Sequence, residues 1–186
     1  MAQLGRMPRP PASERRPIPP LDAAALERLA LRYVERFATT RGKLADYLRR
    51  KIRERGWEGA DADPAALAER LAGLGYIDDL GYAEAKAASL ARRGLGARRV
   101  AGALMQARVV EADRAAVAPG VADRAVDAAL AFARRKRFGP WGSGDVDRAV
   151  LHKQLGAMLR AGHPMDLSRR IVALPPGVEP DPADMG

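Results

Sequence analysis

Few side chains in this sequence have the type and spacing that catalysis or metal binding requires. The two histidines, His152 and His163, are eleven residues apart, which is not the spacing of a metal-binding pair on one helix face. The chain has no cysteine, so disulfides and thiolate metal sites are excluded. Serine is scarce, and no serine lies in a nucleophile-elbow motif. We therefore expect no enzymatic activity, no cofactor and no bound metal.

A pair of adjacent carboxylates, Asp78 and Asp79, is the other candidate for acid–base chemistry. Neighbouring side chains on a helix do not share a face, so a catalytic pair is not expected here. Aspartate favours the start of a helix, where one carboxylate accepts from backbone N–H groups and another interacts favourably with the helix dipole. The pair is predicted to cap a helix, with direct contact to a partner as the alternative.

Basic side chains are the strongest chemical signal in the chain, whose formal net charge is +9. Residues 21–80 are neutral, residues 81–127 carry +3 and residues 128–174 carry +6. A phosphate backbone is the natural complement of such a surplus, and an ordinary solvated surface is the alternative. With three Phe, four Tyr and two Trp, a base-stacking platform is not expected. The candidate binding residues for a partner or DNA are Arg92, Arg93, Arg98, Arg99, Arg134, Arg135, Lys136 and Arg137.

The segment between the first two basic pairs, Gly94-Leu95-Gly96, superficially resembles a phosphate-binding loop. It follows a predicted helix and not a strand, and the third glycine of such a loop is missing. The segment is therefore predicted to end one helix and turn into the next. This turn would bring the four flanking arginines close together.

The composition favours an all-α fold. Ile, Val and Thr together number 17, whereas Ala alone numbers 38, and sheets favour the β-branched residues that are scarce here. Apolar residues at three- and four-residue spacing predict nine helices, the sixth ending at Val117 before Pro119 and the seventh beginning near Val121. No stretch has the roughly 18 apolar residues of a membrane span, and no secretory signal is recognised. A cytoplasmic protein without membrane contact is expected.

Proline and the helical pattern together mark the predicted domains. Six prolines lie within residues 8–20 and four within the last twelve residues, where no apolar period exists. The helices between them form three groups, whose middle helices end at intervals of 52 and 54 residues. We expect an elongated tandem array of three three-helix repeats with disordered Pro-rich termini. The boundaries are 1–20 for a basic tail, 21–80, 81–127 and 128–174 for the three repeats, and 175–186 for an acidic tail.

One part of the chain has a more specific pattern. Residues 74–83, Leu-Gly-Tyr-Ile-Asp-Asp-Leu-Gly-Tyr-Ala, resemble the signature of the RecX regulatory family, in which an apolar-Ile-Asp-Asp run precedes an aromatic residue and Ala. Residues 92–100 and 48–57 resemble the basic turn of the family's second repeat and the helix of its first repeat. The residues that carry the motifs are assigned a mainly structural role: Gly75, Tyr76, Ile77, Asp78, Asp79, Tyr82, Gly94 and Gly96.

The resemblance extends over residues 24–173 and implies tandem three-helix repeats and a modulator of RecA recombinase. Members of the family bind RecA and lodge in the groove of its filament on single-stranded DNA. They limit filament growth, strand exchange and the co-protease activity that triggers the SOS response. RecA, this filament and DNA phosphates are therefore the expected partners of a monomeric chain. The Gly-rich stretch at residues 139–144 and the long N-terminus depart from the family pattern.

Two other functions remain compatible with the residues themselves. A helical DNA-binding protein would use the basic surface on duplex DNA without RecA. A helical adaptor would bind another protein, and nucleic acid would not change that binding.

Overall fold

Helices account for most of the structure. The computed structural model describes residues 19–143 and 147–185. Within these ranges, the β-type pairing is limited to an isolated bridge between Leu21 and Trp57, and the predicted all-α fold is confirmed. None of the helices described combines the length and hydropathy that crossing a membrane needs. The helices are α1 (Ala23–Arg36), α2 (Arg41–Arg55), α3 (Pro64–Gly73), α4 (Asp79–Arg92), α5 (Ala97–Gln106), α6 (Glu111–Asp123), α7 (Ala125–Lys136), α8 (Arg148–Arg160) and α9 (Met165–Ala173), with 3₁₀ turns at Gly139–Trp141 and Pro182–Met185.

Polar side chains fix the amino ends of several helices. The side chains of Asp22, Thr40, Asp63 and Asp147 accept hydrogen bonds from first-turn N–H groups of α1, α2, α3 and α8. Each acceptor satisfies an N–H group that the helix itself leaves unpaired. Pro64 occupies the first position of α3, where a missing N–H group removes no helical bond. These caps set the points at which the helices begin.

The apolar faces of the helices form three cores. Core 1 is built by α1–α3 within residues 21–77, and core 2 by α4–α6 within residues 83–117. Core 3 is built by α7–α9 and the C-terminal segment within residues 129–185. Leu95 packs against both core 2 and core 3. That the three groups repeat one unit, and that they form an elongated array, stay predictions.

Helix α6 is longer than the sequence predicted. The predicted end was Val117, but the helix continues through Pro119 to Asp123. A proline removes one helical hydrogen bond. Val117 and Val121 nevertheless pack against core 2 on both sides of Pro119, which favours continuation of the helix. Helix α7 therefore begins at Ala125.

The C-terminal segment, predicted to be a disordered acidic tail at residues 175–186, contacts the rest of the chain at two points, and its disorder stays a prediction. Residues 175–185 belong to the structure described, and Met185 is buried in core 3. The N–H group of Gly177 also donates to the Pro140 oxygen at 2.9 Å. Burial of one methionine and this backbone bond are the contacts that attach the segment to core 3.

The predicted basic tail at residues 1–20 lies outside the described residues except for Pro19 and Pro20. The Pro19 oxygen accepts hydrogen bonds from Arg55 Nε at 3.3 Å and Nη2 at 2.9 Å. Leu21, the first residue after this tail, is fully buried in core 1. The chain is therefore attached to the end of α2 just before α1 begins.

Candidate partner-binding surface

The Gly94–Gly96 turn lies where core 2 meets core 3. Gly94 has a φ of +70°, and a Cβ atom there would lie 2.8 Å from the Phe132 nitrogen of α7. A Cβ atom on Gly96 would overlap the carbonyl group of Gly162, just after α8. Close approach of two backbones therefore explains both glycines, since neither position has room for a side chain.

The amino end of α5 meets the carboxyl end of α8 in this core 2–core 3 junction. The N–H group of Gly96 donates to the Ala161 oxygen at 2.9 Å, and the N–H group of Arg98 donates to the Gly162 oxygen at 3.3 Å. The first N–H groups and the last carbonyls of a helix have no partners within their own helix. The two helix ends therefore satisfy each other.

Arg98 and Arg99 strengthen the same contact with their side chains. The Arg98 guanidinium donates to the Leu159 oxygen, and Arg99 Nε donates to the Arg160 oxygen at 2.8 Å. Cations at a helix carboxyl end also interact favourably with the helix dipole. These two arginines, which the sequence suggested for partner binding, therefore take part in capping α8.

Arg135 joins the end of α7 to the end of α4. Its Nη1 atom donates to the Arg93 oxygen at 2.6 Å. Its guanidinium carbon lies 5.5 Å from the centre of the Phe132 ring, in cation–π geometry. This contact brings two of the predicted basic clusters to one place on the surface.

The other predicted basic residues are exposed and unpaired. Within residues 19–143 and 147–185, their side chains make no hydrogen bond or ion pair. Their charge is therefore available to a ligand, whereas Arg98, Arg99 and Arg135 already donate to backbone carbonyls. We call these five residues the free basic cluster: Arg92, Arg93, Arg134, Lys136 and Arg137.

Asp79 connects core 2 to core 1. Its side chain is 3% exposed, and it accepts from the backbone N–H and from Nε of Arg41, each at 2.9 Å. The Arg41 guanidinium also lies 3.0 Å from Glu69 and 3.7 Å from Asp113. The hydrogen bond with Asp79 raises the pKa of Arg41 above its ordinary value. Asp79 is thus paired inside the structure and not presented to a partner.

The amino end of α2 meets the carboxyl end of α5 in this core 1–core 2 junction. The Thr40 hydroxyl donates to the Ala107 oxygen. A Cβ atom on Gly42 would overlap the Arg108 side chain, and Arg108 Nε donates to Asp46 Oδ2 at 3.0 Å. Sequence reasoning missed this contact, because nothing in the local pattern around Thr40 identifies a partner so distant in the chain.

Most residues of the 74–83 signature have structural contacts. Asp78 caps α4 by accepting from the Gly81 N–H group at 2.8 Å. Gly75 has a φ of +82°, which favours glycine, and Ile77 is buried in core 1. The Tyr82 hydroxyl accepts from Lys43 Nζ of α2 at 3.1 Å. These contacts hold α4 against core 1.

The same signature also has an exposed apolar part. Tyr76, which the sequence assigned to structure, is 52% exposed. Leu74 is 66% exposed and Leu80 is 39% exposed. Sequence reasoning missed this surface because an apolar residue in a helical pattern is usually assigned to the core.

His163 has a structural position that the sequence did not predict. It is 1% exposed in the core 2–core 3 junction, where Nε2 donates to the Gly94 oxygen at 3.1 Å. Burial lowers its pKa below the ordinary value. The sequence feature that could have indicated this buried position is that His163 directly follows Gly162, the glycine just after the end of α8. In the part of the chain that the structure describes, no three His, Asp or Glu side chains gather as a metal site.

The helices form three linked cores, and a group of exposed cations has no partner within the ranges that the structure describes. These features define an all-α protein with a cationic surface. The chain is 32% identical over 159 residues to Regulatory protein RecX of Myxococcus xanthus (strain DK1622), covering 79% of this chain and 83% of that protein. It is 30% identical over 149 residues to Regulatory protein RecX of Agrobacterium fabrum (strain C58 / ATCC 33970), covering 78% and 80%. No family profile matches the chain. The chain belongs to the RecX family of regulatory proteins.

Proposed function

We propose that this chain is a non-enzymatic cytoplasmic regulator of RecA. In this proposal a monomer binds RecA and its filament on single-stranded DNA, and inhibits or tunes recombinase, ATPase and co-protease (SOS) activity. Membership of the RecX family and the signature at residues 74–83 support it. The proposal requires one surface for nucleic acid and one for protein.

The free basic cluster is the observation that carries the proposal. Its cations belong to the carboxyl ends of α4 and α7, which the Arg135–Arg93 bond holds together. Because these cations are exposed and have no acidic partner among the described residues, a phosphate can neutralise them without breaking a contact that the structure describes. Release of counterions from the phosphates would favour binding and make it salt-sensitive.

The exposed apolar residues of the signature are our candidate for the RecA contact. Leu74, Tyr76 and Leu80 lie on or beside α4, the helix whose other end carries Arg92 of the free basic cluster. Aromatic residues at protein interfaces contribute a large buried area at low entropic cost. In this arrangement one helix contacts protein at its amino end and nucleic acid at its carboxyl end.

The direct test is the ATPase activity of RecA on single-stranded DNA, titrated with this protein. We expect the rate to fall as the protein approaches stoichiometric amounts. No effect at stoichiometric ratios would contradict the proposed function.

A charge reversal tests the free basic cluster. Arg134→Glu should weaken filament binding and lower the slope of log affinity against log salt by about 1, because one phosphate contact is lost. The matched control is Arg53→Glu, an exposed arginine of α2 outside the cluster. Equal loss in both variants would contradict the site. Arg98 and Arg99 are unsuitable for this test, because they also cap α8.

The alternatives differ in what they require. A gel shift with duplex DNA in the absence of RecA would favour the DNA-binding protein. Binding to a protein partner that added nucleic acid does not change would favour the adaptor.

A further inference from the structure

A cleft of 760 Å³ beside the end of α7 has both an aromatic ring and cations in its wall. Helix α7, the 3₁₀ turn at Gly139–Trp141 and residues 177–180 form its sides. Its charged side chains are Arg134, Arg135 and Glu179, and Trp141 supplies the ring. Clefts of about 300–1,000 Å³ are the usual size for ligand sites.

The surrounding structure holds Trp141 in place. The residue packs against core 3, and its backbone N–H group donates to the Phe138 oxygen at 3.2 Å. The Gly139 N–H group donates to Gln154 Oε1 at 3.1 Å, and a Cβ atom on Gly139 would overlap the Ile171 oxygen of α9. The turn is therefore fixed on both sides. A ring that is fixed in advance loses little conformational entropy when a ligand stacks on it.

The charges of the cleft favour an anion. Arg134 belongs to the free basic cluster, and Arg135 uses Nη1 for the Arg93 oxygen. Among the described residues that line the cleft, Glu179 is the acidic one, so positive groups outnumber negative ones there by two to one. A ligand that matches the wall therefore combines a flat ring with a negative group.

We propose that this cleft binds one unstacked nucleotide of a single-stranded nucleic acid, with its base against Trp141 and its phosphate at Arg134. Every base has a π-face, so stacking on tryptophan does not depend on sequence. One ring suits one base, which is consistent with a chain of low aromatic content. The proposal deepens the proposed function and rests on it, because it places the single strand of the filament on this chain.

Fluorescence of Trp141 provides the first test. The chain has two tryptophans, so the Trp57→Phe variant makes Trp141 the only indole reporter. The probe is a single-stranded thymidine oligonucleotide of about 16 nucleotides. We expect saturable quenching at low salt, and much weaker quenching by thymidine monophosphate at the same nucleotide concentration. Equal quenching by the mononucleotide would indicate a free-nucleotide site and overturn the assignment to a strand.

Affinity of the variants for the same oligonucleotide, measured by anisotropy, provides the second test. Trp141→Ala should weaken binding about tenfold. Glu179→Gln should strengthen it, because the substitution removes a negative charge from the cleft. The matched control is Phe37→Ala, which removes a ring that is 49% exposed in the region of core 1 and should leave affinity unchanged.

The outcomes separate this site from the proposed function. Wild-type affinity in Trp141→Ala, with an unchanged circular dichroism spectrum, would overturn the nucleotide site and leave the function to the RecA ATPase assay. Quenching of Trp141 by RecA without DNA, and none by the oligonucleotide, would make the cleft a protein contact and overturn the site as well. Quenching by the oligonucleotide without any effect on RecA would support the site and contradict the proposed function.

Discussion

The two junctions between the cores join helix ends in the same order but by different chemistry. The amino end of α2 meets the carboxyl end of α5, and the amino end of α5 meets the carboxyl end of α8. Side chains dominate the core 1–core 2 junction, through the Asp79–Arg41 pair and the Thr40 hydroxyl. In the core 2–core 3 junction the backbones themselves come together: the Gly96 N–H group bonds directly to the end of α8, and the arginine side chains there donate to backbone carbonyls.

This difference shows that one arrangement of helix ends can be stabilised in two ways. A buried ion pair is sensitive to the loss of either partner, because the other charge is left unpaired. A close backbone contact is sensitive to added atoms, because neither chain can move away without losing bonds. The two junctions should therefore respond to opposite kinds of substitution.

The largest effect is expected from adding one methyl group to the core 2–core 3 junction. Gly94→Ala should lower the free energy of unfolding by about 3 kcal/mol, because it combines a positive φ with a backbone overlap. Urea denaturation followed by circular dichroism measures the change. The control is Gly102→Ala in α5, where the added Cβ meets no atom within 4 Å. This control should stabilise the protein by about 0.5–1 kcal/mol, and equal destabilisation of both variants would contradict the steric explanation.

A smaller effect is expected from removing a carboxylate in the core 1–core 2 junction. Asp79→Ala should destabilise the protein by about 2 kcal/mol, below the range for fully buried pairs because Arg41 is partly exposed. The neighbouring Asp78→Ala should cost about 1 kcal/mol through loss of the α4 cap. The comparison of the two variants in urea is the measurement. A larger loss in Asp78→Ala would show that capping, and not the junction, determines stability here.

Acid should weaken the core 2–core 3 junction through His163. Burial lowers the pKa of this histidine in the folded protein, so the folded state binds fewer protons than the unfolded state. Its contribution to stability is therefore present above the ordinary pKa of about 6.5 and is lost as pH falls below it. The measurement is the urea midpoint as a function of pH. His163→Gln should flatten this profile, and an unchanged profile in this variant would show that another group causes the loss in acid.

The smallest effect is expected from the exposed ion pair of the core 1–core 2 junction. Asp46→Ala removes the partner of Arg108 and should cost less than about 1 kcal/mol, because both side chains are well exposed. The difference from wild type should disappear at high salt, where surface charges are screened. A loss that persists at high salt would indicate that Asp46 acts through packing.

The sequence predicted those features that depend on neighbours in the chain. Asp78 caps α4 in the structure because the cap and the N–H group that it satisfies lie within one turn. The Gly94–Gly96 segment ends α4 and turns into α5. Scarcity of β-branched residues correctly indicated an all-α fold.

The features that the sequence did not predict depend on contacts between distant residues. Arg98 and Arg134 each begin a run of adjacent basic residues, so the sequence does not distinguish them. In the region that the structure describes, Arg98 donates to the Leu159 oxygen and Arg134 is unpaired. Met185 is buried in core 3, which the acidic and proline-rich sequence around it does not indicate. The assignment of free and engaged cations required the position of α8, which no local pattern specifies.

The contacts between unlike helix ends have a geometric consequence. The carboxyl end of one helix meets the amino end of another at both junctions, so the series from α8 through α5 to α2 has a direction. The amino end of α8 lies at one extremity of this series and the carboxyl end of α2 at the other. A nucleic acid strand likewise has distinguishable 5′ and 3′ ends. A strand can be laid along this series of helices in two opposite directions, and only one of them brings the same groups of strand and protein together. A ligand with directionality would therefore be held in a single direction.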